Sequence, residues 1–216
     1  MYKTIISIGL LLYSFLGLSQ NNVNAKLDKY LNAYAATYNL NGAILIAKKN
    51  DVVYQNTFGY ANREWQIKNT LDTRFPIASL TKQFTASAIL QLEEQGKLSV
   101  NDKLSKYFPN YPKGDSVTVH MLLNHTSGIK NFYQNSKLFK NVSVSETPKD
   151  SILNLIKKES FDFSPGTFWG YSNTGYILLG YIIEQVSGQS YDEYVDKNLF
   201  QKAGMLDSGI FTQEKK

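Results

Sequence analysis

From Phe75 to Gly96 the chain reads Phe-Pro-Ile-Ala-Ser79-Leu-Thr-Lys82 and then runs into a segment that is apolar almost all round. Leu80, Phe84, Ala88 and Leu92 recur at steps of four, and Ala86, Ile89 and Leu90 add apolar character on the other sides. That period predicts a helix, and a helix apolar on every side predicts burial. Gly96 predicts its end. Ser79 and Lys82 are therefore expected at the start of a core helix. Residues i and i+3 share a helix face, so the Lys82 amine is placed to reach the Ser79 hydroxyl. A serine hydroxyl is a weak nucleophile near neutral pH and needs an adjacent base and aimed donors for the oxyanion. The N–H of Ser79, at a helix N-terminus, is aimed at such an anion.

The remaining elements follow from periodicity and turn residues. Asn24 to Tyr38 predicts a helix, with Leu27, Tyr30, Leu31 and Tyr34 at spacings of three and four. Gly42 to Lys48 and Asp51 to Phe58 predict two strands, joined through Lys49 and Asn50 as a hairpin. A polar linker is expected from there to Thr73. Leu98 to Glu159 reads as mostly helical with loops, its helices near Val117–Asn124 and Lys149–Lys158. A loop, Ser164-Pro-Gly-Thr167, leads to Tyr171-Ser-Asn173 and then to an apolar helix, Tyr176 to Val186, stopped by Gly188. Ser190 and Glu193 form a capping box for a helix reaching about Leu199.

Spacing does not by itself choose the reactive residues. Ser-x-x-Lys occurs at Ser79–Lys82 and again at Ser127–Lys130, where no apolar helix stands behind it. Tyr-x-Asn begins at Tyr30, Tyr54, Tyr60, Tyr133 and Tyr171. Taken singly, Ser79 reads as a helix N-cap, Lys82 as a solvated first-turn residue, Tyr171 as a core aromatic or a loop anchor, and Asn173 as a cap. The two histidines, His120 and His125, lack a nucleophile-elbow serine to serve, since no Gly-x-Ser-x-Gly surrounds Ser79. Two histidines five apart with no nearby carboxylate predict no metal site, and no cofactor is expected.

Three landmarks in order select one member of each set. Phe75-Pro-Ile-Ala-Ser79-Leu-Thr-Lys82, His125-Thr-Ser-Gly-Ile129, and Ser164-Pro-Gly-Thr167 followed by Tyr171-Ser-Asn173 resemble the motifs of the serine β-lactamase, DD-peptidase (penicillin-binding protein) and esterase superfamily, in its class C-like branch. The resemblance runs from about Leu27 to Gly209. It implies an α/β fold, with helices on an antiparallel sheet and a mainly helical subdomain from about 98 to 164. It implies Ser79 as the residue acylated by a β-lactam, a D-Ala-D-Ala peptide or an ester. Lys82 would share the proton transfer, and Tyr171 would act as general base with a lowered phenol pKa. Asn173 would bind the substrate amide or orient Lys82, and His125 would be structural. The family also carries a Lys- or His-x-Gly motif on a later strand. Nothing after Asn173 is read as that motif: Val186-Ser-Gly188 and Asp207-Ser-Gly209 have the wrong first residue. The C-terminal strands of the sheet are thus expected to be missing, the chain to be a partial domain over 20–216, and its hydrolase activity to be slight or nil. A non-catalytic penicillin or cell-wall-peptide binder, or a pseudoenzyme, is the alternative.

Composition bounds the setting. With 43% hydrophobic residues, the 216-residue chain has enough apolar surface for a core. Its formal charge of +5 is scattered, with only pairs such as Lys48-Lys49 and Lys157-Lys158, whereas a nucleic-acid binder gathers its cations in a stripe. No nucleic-acid partner is expected; the expected partner is a small-molecule or peptide substrate. Lys3 followed by the apolar run Ile5 to Leu18, with Gly17 and Ser19 before a cut at Gln20, predicts a signal peptide over 1–19 and export to the periplasm or medium. The run is short for a membrane span, which needs about 20 apolar residues, so no anchor is expected to remain. The chain has no cysteine, which excludes disulfides, thiolate metal sites and a lipidated cysteine anchor.

Overall fold

The computed structural model describes residues 23–132 and 148–210. The proposed signal segment and Tyr133 lie outside them. The chain divides into two compact units, one up to Phe75 and one from Pro76 onward.

In the first unit a helix, α1 (residues 23–38), packs on a hairpin of β1 (Gly42–Lys48) and β2 (Asp51–Phe58). The strands pair antiparallel from Gly42↔Phe58 to Lys48↔Asp51, with a bulge between Ile46 and Ala47. Lys49, at φ 58°, makes the tight turn. Tyr54 and Phe58 alternate onto the face that meets Leu31, with Leu27, Ala35, Leu40 and Ile44 closing this small core. The Tyr54 hydroxyl donates to Asp28 of α1 at 2.7 Å and fixes the helix to the sheet. The stretch expected as linker contains a second short hairpin, β3 (Tyr60–Asn62) with β4 (Ile67–Lys68). Strands of three and two residues are too short to show an alternating pattern. Asn69 holds this hairpin to β2 by donating from Nδ2 to the Phe58 carbonyl at 2.7 Å.

The second unit is helical. A 3₁₀ turn, Ala78–Leu80, leads into α2 (Thr81–Glu94). Then come α3 (Leu104–Tyr107), α4 (Val119–Leu123), α5 (Lys149–Ile156), α6 (Asn173–Ser187) and α7 (Tyr191–Val195). The turn after α7, Asp196–Phe200, has π-helical hydrogen bonding. The central element is α6, whose Leu178, Leu179, Ile182 and Ile183 are fully buried. They pack with Ala88, Ile89 and Leu92 of α2 and with Leu104, Val119, Leu122 and Ile156, so side chains from 98–164 share one core with α2 and α6. Burial on this scale is worth about 1.5–3 kcal/mol per large aliphatic side chain.

Two helix expectations need correction. Helix α2 is not buried all round: Leu90 is 52% exposed and Leu80, just before the helix, 64%, and within α2 only Thr85, Ala88, Ile89 and Leu92 are buried. Composition shows how apolar a helix is, but not how many neighbours it has. Helix α6 begins at Asn173, three residues earlier than its apolar pattern, because Ser172 caps it by accepting the Gly175 N–H. The Ser190–Glu193 capping box and the left-handed Gly188 stop both form as their residue types dictate.

Candidate active site

Ser79, Lys82, Tyr171 and Asn173 come together in the second unit. The Ser79 Oγ lies 2.7 Å from the Tyr171 hydroxyl. Lys82 Nζ donates to Ser79 Oγ at 3.4 Å and to Asn173 Oδ1 at 2.7 Å. The same ammonium stands 4.8 Å from the Tyr171 ring centroid and 5.3 Å from that of Tyr176. Lys82 is thus the hub, touching the hydroxyl, the amide and both aromatic faces.

Local structure explains how each group arrives. Ser79 sits in the 3₁₀ turn rather than in α2 itself. Ala78 before it adopts φ 46°, a left-handed conformation that costs a residue with a Cβ roughly 1–2 kcal/mol. The strained turn leaves Ser79 exposed, one residue off the helix, while Lys82 projects from the first turn of α2.

The loop that carries Tyr171 is held by a second motif loop of the sequence, His125–Ile129. Three backbone bonds join the two loops: Gly166 N–H to the Thr126 carbonyl at 2.8 Å, Gly170 N–H to the His125 carbonyl at 2.9 Å, and Asp162 N–H to the Gly128 carbonyl at 2.9 Å. His125 Nδ1 accepts the Ser172 N–H at 3.2 Å, and its ring lies 4.6 Å from the Tyr171 ring and 5.2 Å from that of Tyr176. An accepting Nδ1 must be unprotonated. Burial, and then the Lys82 charge, lower the His125 pKa below the ordinary imidazole value, which keeps it so.

The electrostatics favour a basic phenol. Burial pushes the Tyr171 pKa up, but hydrogen bonding by Lys82 and Ser79 and the Lys82 charge outweigh it, and the group lies below the ordinary tyrosine value. Tyr107 and Tyr111 go the opposite way, both raised, chiefly by burial.

The competing motifs are put to other uses. Ser127 is buried, with Oγ accepting the Ile129 N–H, and Lys130 pairs with Glu159 at 3.8 Å. In Tyr54-Gln-Asn56, Asn56 Nδ2 donates to the Tyr54 hydroxyl at 3.2 Å and to Asp28 at 3.4 Å, as part of the α1–sheet contact. Contrary to the expectation that nothing after Asn173 fits Lys-x-Gly, one such triplet does occur, Lys202-Ala-Gly204. It lies in the turn after Asp196–Phe200, with Gly204 at φ 69°, so it ends a helical segment instead of lining a strand. Among the described residues no group of three His, Cys, Asp or Glu side chains could hold a metal ion, and no helix is long and apolar enough to cross a membrane.

Asn131 is a member of the site that the motifs did not single out. Its Oδ1 accepts the Asn173 backbone N–H at 3.3 Å and Asn173 Nδ2 at 3.4 Å. Its place two residues after Ile129 is the one signal that could have found it.

A serine in contact with a lysine and a tyrosine on a helical unit, in a chain that also has a unit of helix on antiparallel hairpin, carries the features of the Ser-x-x-Lys class. Residues 27–216 match the Beta-lactamase family, and the chain belongs to that family. It is 36% identical over 193 residues to PbpX of Bacillus subtilis, covering 89% of this chain and 46% of PbpX. It is 34% identical over 198 residues to penicillin-binding protein 4* of the same organism, covering 90% of this chain and 43% of that protein. The structure of a penicillin-binding protein from Bacillus halodurans superposes with a TM-score of 0.76 at 38% identity, over 85% of this chain and 58% of that one. The chain therefore spans about half the length of the relatives it matches.

Proposed function

We propose that this chain carries the nucleophilic half of a serine acyl-transfer site acting on β-lactams, D-Ala-D-Ala peptides or esters. The observation that carries the reading is the contact of Ser79 Oγ with both the Tyr171 hydroxyl, at 2.7 Å, and Lys82 Nζ, at 3.4 Å. Ser79 Oγ attacks the substrate carbonyl while its proton passes to Tyr171, whose phenolate form is favoured by Lys82. The C–N bond of a lactam or peptide, or the C–O bond of an ester, then breaks. The proton returns from Tyr171 to the departing nitrogen or oxygen, and the acyl group stays on Ser79. Lys82 keeps positive charge at the site, Asn173 orients Lys82, and the Ser79 N–H is one oxyanion donor.

Acylation and turnover separate in this reading. The family's second oxyanion donor comes from a strand bearing Lys- or His-x-Gly, and the described residues include no such strand. Penicillin labelling is therefore expected to be stoichiometric and turnover slight or nil. Incubating the purified chain with a fluorescent penicillin and with a p-nitrophenyl ester tests both parts. Covalent label in the native chain and none in Ser79→Ala is the expected result. An unlabelled native chain would sink the nucleophile reading, and sustained Ser79-dependent ester turnover would sink the expectation of inactivity. Export through the segment 1–19, with 20–216 as a partial domain of the family, is part of the same proposal. Its check is N-terminal sequencing of protein recovered outside the cytoplasm, where an intact Met1 would refute cleavage.

A further inference from the structure

We propose that Asn131 is a positioning residue that sets which end of the Asn173 amide faces Lys82; the inference rests on the acyl-transfer reading of the site. The argument is one of donor and acceptor inventory. The Asn173 backbone N–H can only donate, and it faces Asn131 Oδ1 at 3.3 Å. That fixes an acceptor oxygen of Asn131 at this point. A second group meeting the same oxygen must also donate, so Asn173 presents Nδ2 to it, at 3.4 Å. The opposite end of the Asn173 amide is then Oδ1. Lys82 Nζ has donors only, and it meets this oxygen at 2.7 Å. A backbone donor that cannot flip thereby determines, through two side-chain amides, where the ammonium beside Ser79 is held.

The position of Asn131 is itself built. Thr174, 1% exposed, donates from Oγ1 to the Lys130 carbonyl at 2.8 Å and accepts the Phe132 N–H at 3.0 Å. The residues on both sides of Asn131 are thus lashed to the second residue of α6, the residue next to Asn173. Asn131 also satisfies one of the free N–H groups at the start of that helix. Without its oxygen, the Asn173 amide is free to turn, and its NH₂ facing the ammonium repels it.

The test compares the native chain with Asn131→Ala and Asn131→Asp, which removes and retains the accepting oxygen respectively. Two readouts are taken: the NMR signals of the Asn173 side-chain amide, and the rate of labelling by a fluorescent penicillin as a function of its concentration. In Asn131→Ala the amide protons are expected to shift and exchange faster. The limiting acylation rate should fall by about tenfold, the scale of one charge-assisted hydrogen bond. The half-saturating concentration is expected to stay unchanged. Asn131→Asp should restore most of the rate. An Asn173 amide signal indifferent to Asn131→Ala overturns the proposal, as does a native-like acylation rate in that variant or an Asp variant as slow as Ala while equally folded. If the native chain takes no label, the nucleophile reading fails, and the NMR comparison still decides the role of Asn131.

Discussion

Lys82 and Tyr171 define each other chemically. Burial alone would make Tyr171 a poor base, and the lysine ammonium reverses the direction. The sign of the pH effect follows. In the proposed mechanism only the unprotonated phenol takes the Ser79 proton, so labelling should rise with pH through the Tyr171 pKa. That pKa lies below the ordinary value, so the rise should come before pH 10. Replacing Lys82 by Ala removes two of the lowering influences and leaves burial in place. The rise should move to higher pH, and it should vanish in Tyr171→Phe. A pH profile of penicillin labelling in the three proteins checks this; an unmoved profile in Lys82→Ala would show that another group is the base. Ser79 and Lys82 were legible from Ser-x-x-Lys once flanking motifs chose it over Ser127–Lys130. Asn131 was not legible, because a single asparagine in a loop carries no spacing, and its meaning lies wholly in the residue across from it.

At the scale of elements, the nucleophile turn and the loop 161–172 solve different problems. The turn must lift Ser79 off its helix, which left-handed Ala78 does. The loop must bring Tyr171 back to Ser79 from 92 positions later in the chain, and it does so by pairing with His125–Ile129. Gly128 shows how close that pairing is. It stands at φ +72°, and a Cβ there would meet the Phe163 carbonyl oxygen at 2.1 Å. Gly128 and His125 were visible as letters of a motif, but why that loop holds glycine could be read only from the loop it faces. The hairpin β1–β2 lay plainly in the sequence, because seven- and eight-residue runs between turn residues state both period and ends. The β3–β4 hairpin did not, since its strands are shorter than the period needed to recognise them.

At the scale of the whole molecule, the two units differ in how well they cover themselves. The helical unit closes a core around α6, with eighteen fully or nearly buried residues in one cluster among those described. Among the described residues the first unit buries only Leu31, Tyr54 and Phe58 in its core. On its hairpin Leu45 is 62% exposed and Val52 is 53% exposed. A two-stranded sheet with apolar residues in water is marginal and offers its edges to other strands. The purified chain is therefore expected to self-associate as its concentration rises, and Leu45→Lys with Val52→Lys should reduce this. Light scattering across a dilution series measures it; an equally monomeric native chain at all concentrations would contradict the expectation.

The sequence by itself determined the family, the order of the main elements, and four of the residues at the site, because helix period, caps and motif spacing are local properties written along the chain. Tertiary structure alone decided the rest. It set Asn173 between Lys82 and Asn131, exposed one side of an apolar helix, and set the Tyr171 hydroxyl against Ser79. Each of these depends on which groups face one another across the fold, and electrostatics and donor–acceptor matching act through space rather than along the chain.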